Sequence, residues 1–150
     1  KNHVRFKFFG DLSRLDPKLR KLCLDAEERS SVYSELQVNF CLNYGGRDEI
    51  TRAVRKVMAD CKEGKIAEAE MNESMFASYL DTAEIPDPDL LIRTSGELRL
   101  SNYLLWQLAY SELYVTDCLW PDFNKEELLE AIRHYSRRDR RFGGVKTDTK

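Results

Sequence analysis

The sequence predicts an α/β fold: a mainly parallel sheet flanked by helices. Three observations lead there. Short apolar or half-alternating runs recur around Val4–Phe9, Leu36–Leu42, Leu90–Ile92 and Leu113–Val115, and their length suits strands. Between them lie stretches whose apolar residues repeat every three or four positions, as on one face of a helix. Strands that alternate with helices imply βαβ units, which pair their strands in parallel.

The elements follow in chain order. Val4, Phe6, Phe8 and Phe9, interleaved with Arg5 and Lys7, read as a first strand. Asp16-Pro17 opens a helix, because the carboxylate can accept first-turn amides and proline suits the first helical position. Leu19, Leu22, Cys23 and Ala26 form its apolar face. Leu36, Val38, Phe40 and Leu42 read as a second strand, broken by Gly45-Gly46. Ile50, Ala53, Val54, Val57, Met58 and Cys61 mark a long amphipathic helix that ends near Gly64. Asn72 caps a short helix through Leu80, with Phe76, Tyr79 and Leu80 inward. Leu90–Ile92 is a third strand, with prolines before it and Gly96 after it. Ser101 can cap a helix containing Leu104, Leu105, Trp106 and Leu108, and Leu113–Val115 is a fourth strand. Trp120-Pro121-Asp122-Phe123 reads as a rigid corner. Asn124 with Glu127 then resembles a capping box, and Leu128, Leu129, Ile132 and Tyr135 give the last helix its face.

A length of 150 residues fits one α/β domain over 1–150, with a basic tail from about 137. A net charge of −2 argues against a general nucleic-acid binder. From Arg133 onward, however, seven Lys/Arg stand against two Asp. That tail is either a solvated helix end or a surface for anions such as nucleic acid or membrane. Cys23, Cys41, Cys61 and Cys118 form no Cys-x-x-Cys pair, so they read as small core residues in a reducing compartment and not as a zinc site. No apolar run is long enough to span a bilayer, and no signal peptide is visible, which together with the cysteines points to the cytoplasm. His3 and His134 have no visible partners.

The chemistry concentrates after the third strand. There the chain offers Arg93, Thr94, Ser95, Gly96, Arg99 and Ser101. Guanidinium forks and hydroxyls suit a phosphate or diphosphate, and in open α/β sheets ligands bind outside the carboxyl ends of strands. The plainer reading makes both arginines surface residues paired with Asp89 and Glu97, and Ser101 a simple N-cap. Ser101 could serve both roles, because helix N-termini favour anions. Asn43-Tyr44-Gly45-Gly46-Arg47 is either an anion cradle or a tight turn, and the turn is favoured. Trp106, Tyr110, Tyr114, Trp120 and Phe123 suit packing better than a groove for an apolar ligand. Arg140-Arg141-Phe142-Gly143-Gly144 can form an anion nest.

Arg-Thr-Ser-Gly-Glu-x-Arg-Leu-Ser-Asn at 93–102, Leu-Leu-Trp-Gln at 104–107, Glu112 and Leu-Trp-Pro-Asp-Phe at 119–123 together resemble the signature of cis-prenyltransferases, the undecaprenyl and dehydrodolichyl diphosphate synthases. Phe9-Gly10-Asp11-Leu12, Asn43-Tyr44-Gly45-Gly46-Arg47 and Arg141-Phe142-Gly143-Gly144 extend the resemblance along nearly the whole chain, with the bacterial, undecaprenyl-making branch the nearer one. The resemblance implies that Arg93, Arg99 and Ser101 grip the diphosphate of isopentenyl diphosphate. It implies that Glu112 is a catalytic carboxylate that ligates Mg2+ near the diphosphates. It also implies that Arg141 and Gly143 reach substrate phosphates or help order the site across a dimer. A homodimer, an allylic diphosphate of the farnesyl type and a membrane surface reached through the lipid product are the partners it suggests.

Against the pattern, the family's Asp-Gly-Asn segment, whose aspartate binds the metal-diphosphate of the allylic substrate, has no counterpart here. The chain is therefore expected to correspond to the C-terminal portion of such an enzyme and to be inactive by itself. Two other readings stand beside this one: a non-catalytic partner subunit of a heteromeric enzyme, and an anionic-surface or nucleic-acid binding module. Eleven residues separate Ser101 from Glu112. If they are mostly helical, the two lie about 15 Å apart, so a neighbouring subunit is expected to complete the site.

Overall fold

The computed structural model describes residues 3–137. The chain packs as two compact units. Among the described residues, one runs through Pro86 and also takes in Asn102–Leu104; the other comprises Asp87–Ser101 and residues 105–137.

In the first unit the order is β1 (Val4–Phe9), α1 (Pro17–Ser30), β2 (Leu36–Cys41), α2 (Gly46–Lys62) and α3 (Glu73–Ala77). β1 and β2 pair in parallel, from Val4 opposite Leu36 to Phe9 opposite Cys41. α1 starts as expected: Asp16 accepts from the amides of Lys18 (2.9 Å) and Leu19 (3.4 Å), with Pro17 in the first turn. The helix packs on β1 and also satisfies it. The Phe6 amide donates to Ser30 Oγ (2.9 Å) and the Phe8 amide to a Glu27 carboxylate oxygen (2.6 Å). Strand amides that β2 does not use are thereby closed to a foreign strand. Phe8 stacks on Phe40 with centroids 5.4 Å apart.

α2 is capped from a distance. Gly45 is its N-cap and has no side chain to offer. Asn102 supplies both acceptors: its carbonyl takes the Gly46 amide (2.7 Å) and its Oδ1 takes the Arg47 amide (2.9 Å). A Cβ on Gly45 would stand 2.7 Å from Asn102 Nδ2, so the close approach requires glycine. These bonds use the foremost amides of α2, which supports the turn reading of the 43–47 segment over the anion cradle.

Behind α2 lies a polar cluster. Glu49 is fully buried and accepts from Tyr44 Oη (2.5 Å) and the Asp81 amide (2.9 Å). Arg52 donates to both Asp81 oxygens (2.8 and 2.6 Å), and Asp81 also accepts from the Gly10 amide (3.0 Å). Burial alone would raise the Asp81 pKa. The Arg52 hydrogen bonds and charge, with the Gly10 amide, outweigh it and hold the carboxyl below its ordinary value. A carboxyl depressed on folding stabilises fully above its unfolded pKa of about 3.9, and that stability is lost as pH falls through the lower folded value. Urea unfolding between pH 2 and 6 should therefore show an acid loss of stability that Asp81→Asn makes shallower. An identical acid limb in the variant would remove Asp81 from the account.

In the second unit β3 (Leu90–Arg93) pairs in parallel with β4 (Glu112–Val115), Leu90 opposite Glu112 and Arg93 opposite Val115. α4 (Lys125–Ser136) packs on β4. Asn124 caps α4, accepting from the Glu126 (2.9 Å) and Glu127 (3.2 Å) amides. The other half of the expected capping box does not form, because the Glu127 carboxylate accepts from Thr116 Oγ1 (3.2 Å). Glu127, Ala131, His134 and Tyr135 line the covered face of α4, whereas the expected Leu128, Leu129 and Ile132 are exposed. His134 meets the ring of Tyr114 edge-on at 5.3 Å, and His3 stacks on Tyr33, so neither histidine lacks a partner.

The helix expected after Ser101 is absent. Ser101, Asn102 and Leu104 have φ of 51°, 61° and 42°, a left-handed stretch that cannot seed a right-handed helix. Turns occupy the segment, and Ser101 is not an N-cap. All four cysteines are free, and only Cys23 is a fully buried core residue.

Candidate functional site

The carboxyl ends of β3 and β4 carry the polar loop that the sequence singles out. Arg93 is the last residue of β3 and is half-buried. Its Nη2 donates to Ser101 Oγ (3.4 Å). Its Nε is buried and has no acceptor among the described residues. A guanidinium nitrogen shut away from water without a partner is costly, and an acceptor oxygen that reached it would offset that cost. Arg99 is mostly exposed and pairs with Glu97, the carboxylate the plainer reading assigned to an arginine. Arg93 instead turns to Ser101, which brings two of the three expected diphosphate ligands together.

The loop between them is held from the other strand. Ser95 and Gly96 have φ of 65° and 66°. The Ser95 amide donates to the Cys118 carbonyl and the Gly96 amide to the Thr116 carbonyl, both at 2.9 Å. A Cβ at Gly96 would lie 2.7 Å from Asp117 Oδ1 and would hold a left-handed φ, so glycine is the least strained residue here.

Glu112 is not part of this group. It opens β4, half-buried, and its amide donates to the Asp89 carbonyl (2.9 Å). The register places it three residue steps from the level of Arg93, about 10 Å at roughly 3.3 Å per residue. Three steps is odd, so Glu112 also faces the opposite side of the strand pair. The helix from which a Ser101–Glu112 separation was expected is absent; the strand register speaks only to Arg93 and Glu112. Arg141 and Gly143 lie outside the described residues.

Thr116, Asp117 and Glu127 were not candidates from sequence. Thr116 and Asp117 follow a strand without any motif, and Glu127 had an ordinary helix-cap explanation. No group of three or more metal-ligating side chains gathers among the described residues. No helix among them is long and apolar enough to cross a membrane.

The chain is a parallel α/β arrangement with an arginine-serine loop at its strand ends, and comparison with known proteins narrows its class. The family described as "Putative undecaprenyl diphosphate synthase" matches residues 1–143. An isoprenyl transferase of Clostridium perfringens is 51% identical over 145 residues, covering 97% of this chain and 57% of the relative. An isoprenyl transferase of Chlamydia trachomatis is 49% identical over 140 residues, covering 93% and 55%. Among solved structures, lavandulyl diphosphate synthase from Lavandula x intermedia, in complex with dimethylallyl diphosphate, superposes with a TM-score of 0.92 at 38% identity, covering 95% of this chain and 62% of that one. A probable undecaprenyl diphosphate synthase of Campylobacter jejuni gives 0.83 at 39% identity, covering 95% and 64%. The chain belongs to the undecaprenyl diphosphate synthase family of prenyltransferases. It spans little more than half the length of the curated relatives it matches.

Proposed function

We propose that this chain carries the isopentenyl-diphosphate side of a cis-prenyltransferase site, in a protein that makes a polyprenyl diphosphate of the undecaprenyl type. The observation that carries this reading is the buried Arg93 Nε without an acceptor, beside Ser101 at the strand ends. A diphosphate oxygen would satisfy that nitrogen, and Ser101 Oγ would donate to another. Arg99 is exposed enough to exchange Glu97 for the ligand. The forked guanidinium groups match diphosphate geometry and charge.

In the reaction, the terminal alkene carbon of isopentenyl diphosphate bonds to C1 of the allylic substrate. The allylic C–O bond breaks, diphosphate departs with the electron pair, and a proton is lost to leave a new Z double bond. Arg93, Arg99 and Ser101 anchor the nucleophilic partner by the end that does not react. Fixing two reactants in attack geometry can remove about 7 kcal/mol or more of barrier. Glu112 offers a hard carboxylate oxygen, which fits Mg2+ because that ion usually takes one or two carboxylates and fills its shell with phosphate and water oxygens. Bound there, Mg2+ would neutralise diphosphate charge. A homodimer that brings Glu112 to the neighbour's substrates belongs to the same reading, as does Arg141 with Gly143 as a phosphate contact.

The test is direct. The protein as its gene encodes it should extend farnesyl diphosphate with labelled isopentenyl diphosphate and Mg2+. The 150 residues alone should yield no long-chain product, because no Asp-Gly-Asn segment is among them. Binding of both diphosphates without any extension by the gene-encoded protein would favour the partner-subunit reading. Sustained extension by the 150 residues alone would contradict the role given to the missing aspartate.

A further inference from the structure

We infer that Thr116 is a positioning residue for the diphosphate loop, held in place by Glu127 of α4; this rests on the site reading above. Every polar atom of Thr116 is engaged. Its amide donates to the Arg93 carbonyl and its carbonyl accepts from the Gly96 amide, both at 2.9 Å. Its Oγ1 donates to a Glu127 carboxylate oxygen and accepts from the Cys118 amide, both at 3.2 Å. The Cys118 carbonyl in turn accepts from the Ser95 amide (2.9 Å). One residue therefore links three things: through its backbone, Arg93 and the left-handed Ser95-Gly96 turn, and through its hydroxyl, the Cys118 amide and a helix.

The direction of the Glu127 carboxylate makes this more than a turn. At the third position of α4 it could return to the Asn124 amide and close a capping box. It reaches Thr116 instead, at the expense of that bond. α4 is a twelve-residue helix resting on β4, and it is a stiffer support than a loop could be. Ligand groups need to be held within a fraction of an ångström, and the residues that support them set that tolerance. The Thr116 hydroxyl touches neither Arg93 nor Ser101. Its effect runs through the backbone, by fixing where β3 ends and how the loop leaves it.

The experiment uses the protein as its gene encodes it. Thr116→Val removes the hydroxyl and keeps the branched shape and both backbone bonds. Thr116→Ser keeps the hydroxyl. Thr116→Val should raise the KM for isopentenyl diphosphate about tenfold, with the KM for farnesyl diphosphate unchanged, because a slightly misplaced ligand loop costs that much or more. Thr116→Ser should stay near wild type. Glu127→Gln should reproduce part of the Thr116→Val effect, and the double variant should fall short of the product of the two, as expected for residues in one contact. A lowered Tm with both KM values unchanged would reduce Thr116 to a structural residue and overturn the inference. Arg93→Ala measured alongside separates the two readings. If it impairs isopentenyl diphosphate use and Thr116→Val does not, the positioning role alone falls. If Arg93→Ala has no effect, the site reading falls and takes the positioning role with it.

Discussion

Arg93→Ala is expected to weaken the use of isopentenyl diphosphate by ten- to a hundredfold and to leave binding of the allylic diphosphate nearly intact. The magnitude follows from losing one charge-assisted pair, about 1.5–3 kcal/mol. Selectivity follows from the geometry: the buried Nε and the Ser101 contact belong to one end of one strand pair. Arg93→Lys should rescue poorly, since an ammonium cannot reproduce the fork and Nε would have no counterpart. Arg99→Ala should act in the same direction and more weakly, because Arg99 is mostly exposed and already paired with Glu97. Steady-state kinetics with each substrate varied in turn decides the matter. An equal loss for both substrates would mean that the loop serves the fold or both diphosphates without distinction.

Glu112→Gln should depress turnover and raise the Mg2+ requirement on the order of 10–100-fold, with the protein still folded. The strand register puts Glu112 at the opposite end and on the opposite face from Arg93. If both serve one reaction, they are best reconciled by two chains. Mixed dimers of an inactive Glu112→Gln chain and an inactive Arg93→Ala chain should then regain one complete site and part of the activity. No recovery, despite demonstrated subunit exchange, would confine Glu112 to its own chain or to a supporting role.

Much of this arrangement was legible because local chemistry decides it. Asp16-Pro17, Asn72 and Asn124 cap the helices they were expected to cap. The four strands fall on the apolar runs. The failures have two causes: a distant partner overrides a local preference, or the backbone takes a left-handed path. Glu127 at the third helical position suggests a capping box, but its carboxylate goes to Thr116, and Leu128, Leu129 and Ile132 are exposed. Apolar spacing around Leu104 suggests a helix, but three left-handed residues at its start forbid one. Glu49 sits among charges on an amphipathic helix and has no sequence mark of burial. Its acceptors are filled by Tyr44 and by the Asp81 amide, thirty-two positions away. The arginine-serine loop was legible as a motif. The backbone support under it was not, because Thr116 looks like any threonine that follows a strand.

The remote cap on α2 has a consequence for the order of folding. The helix starts at Gly46, yet the acceptors that close its first turn sit on Asn102, 55 residues later than Arg47. At roughly 5–20 residues per second, those acceptors leave the peptidyl-transfer centre about 3–11 s after the amides they satisfy. Over that interval the first turn of α2 has only water for its foremost amides. β1, α1 and β2 need nothing beyond Cys41 to pair and pack, so they can form earlier. The start of α2 is thus a late event, timed by the synthesis of the segment next to Ser101.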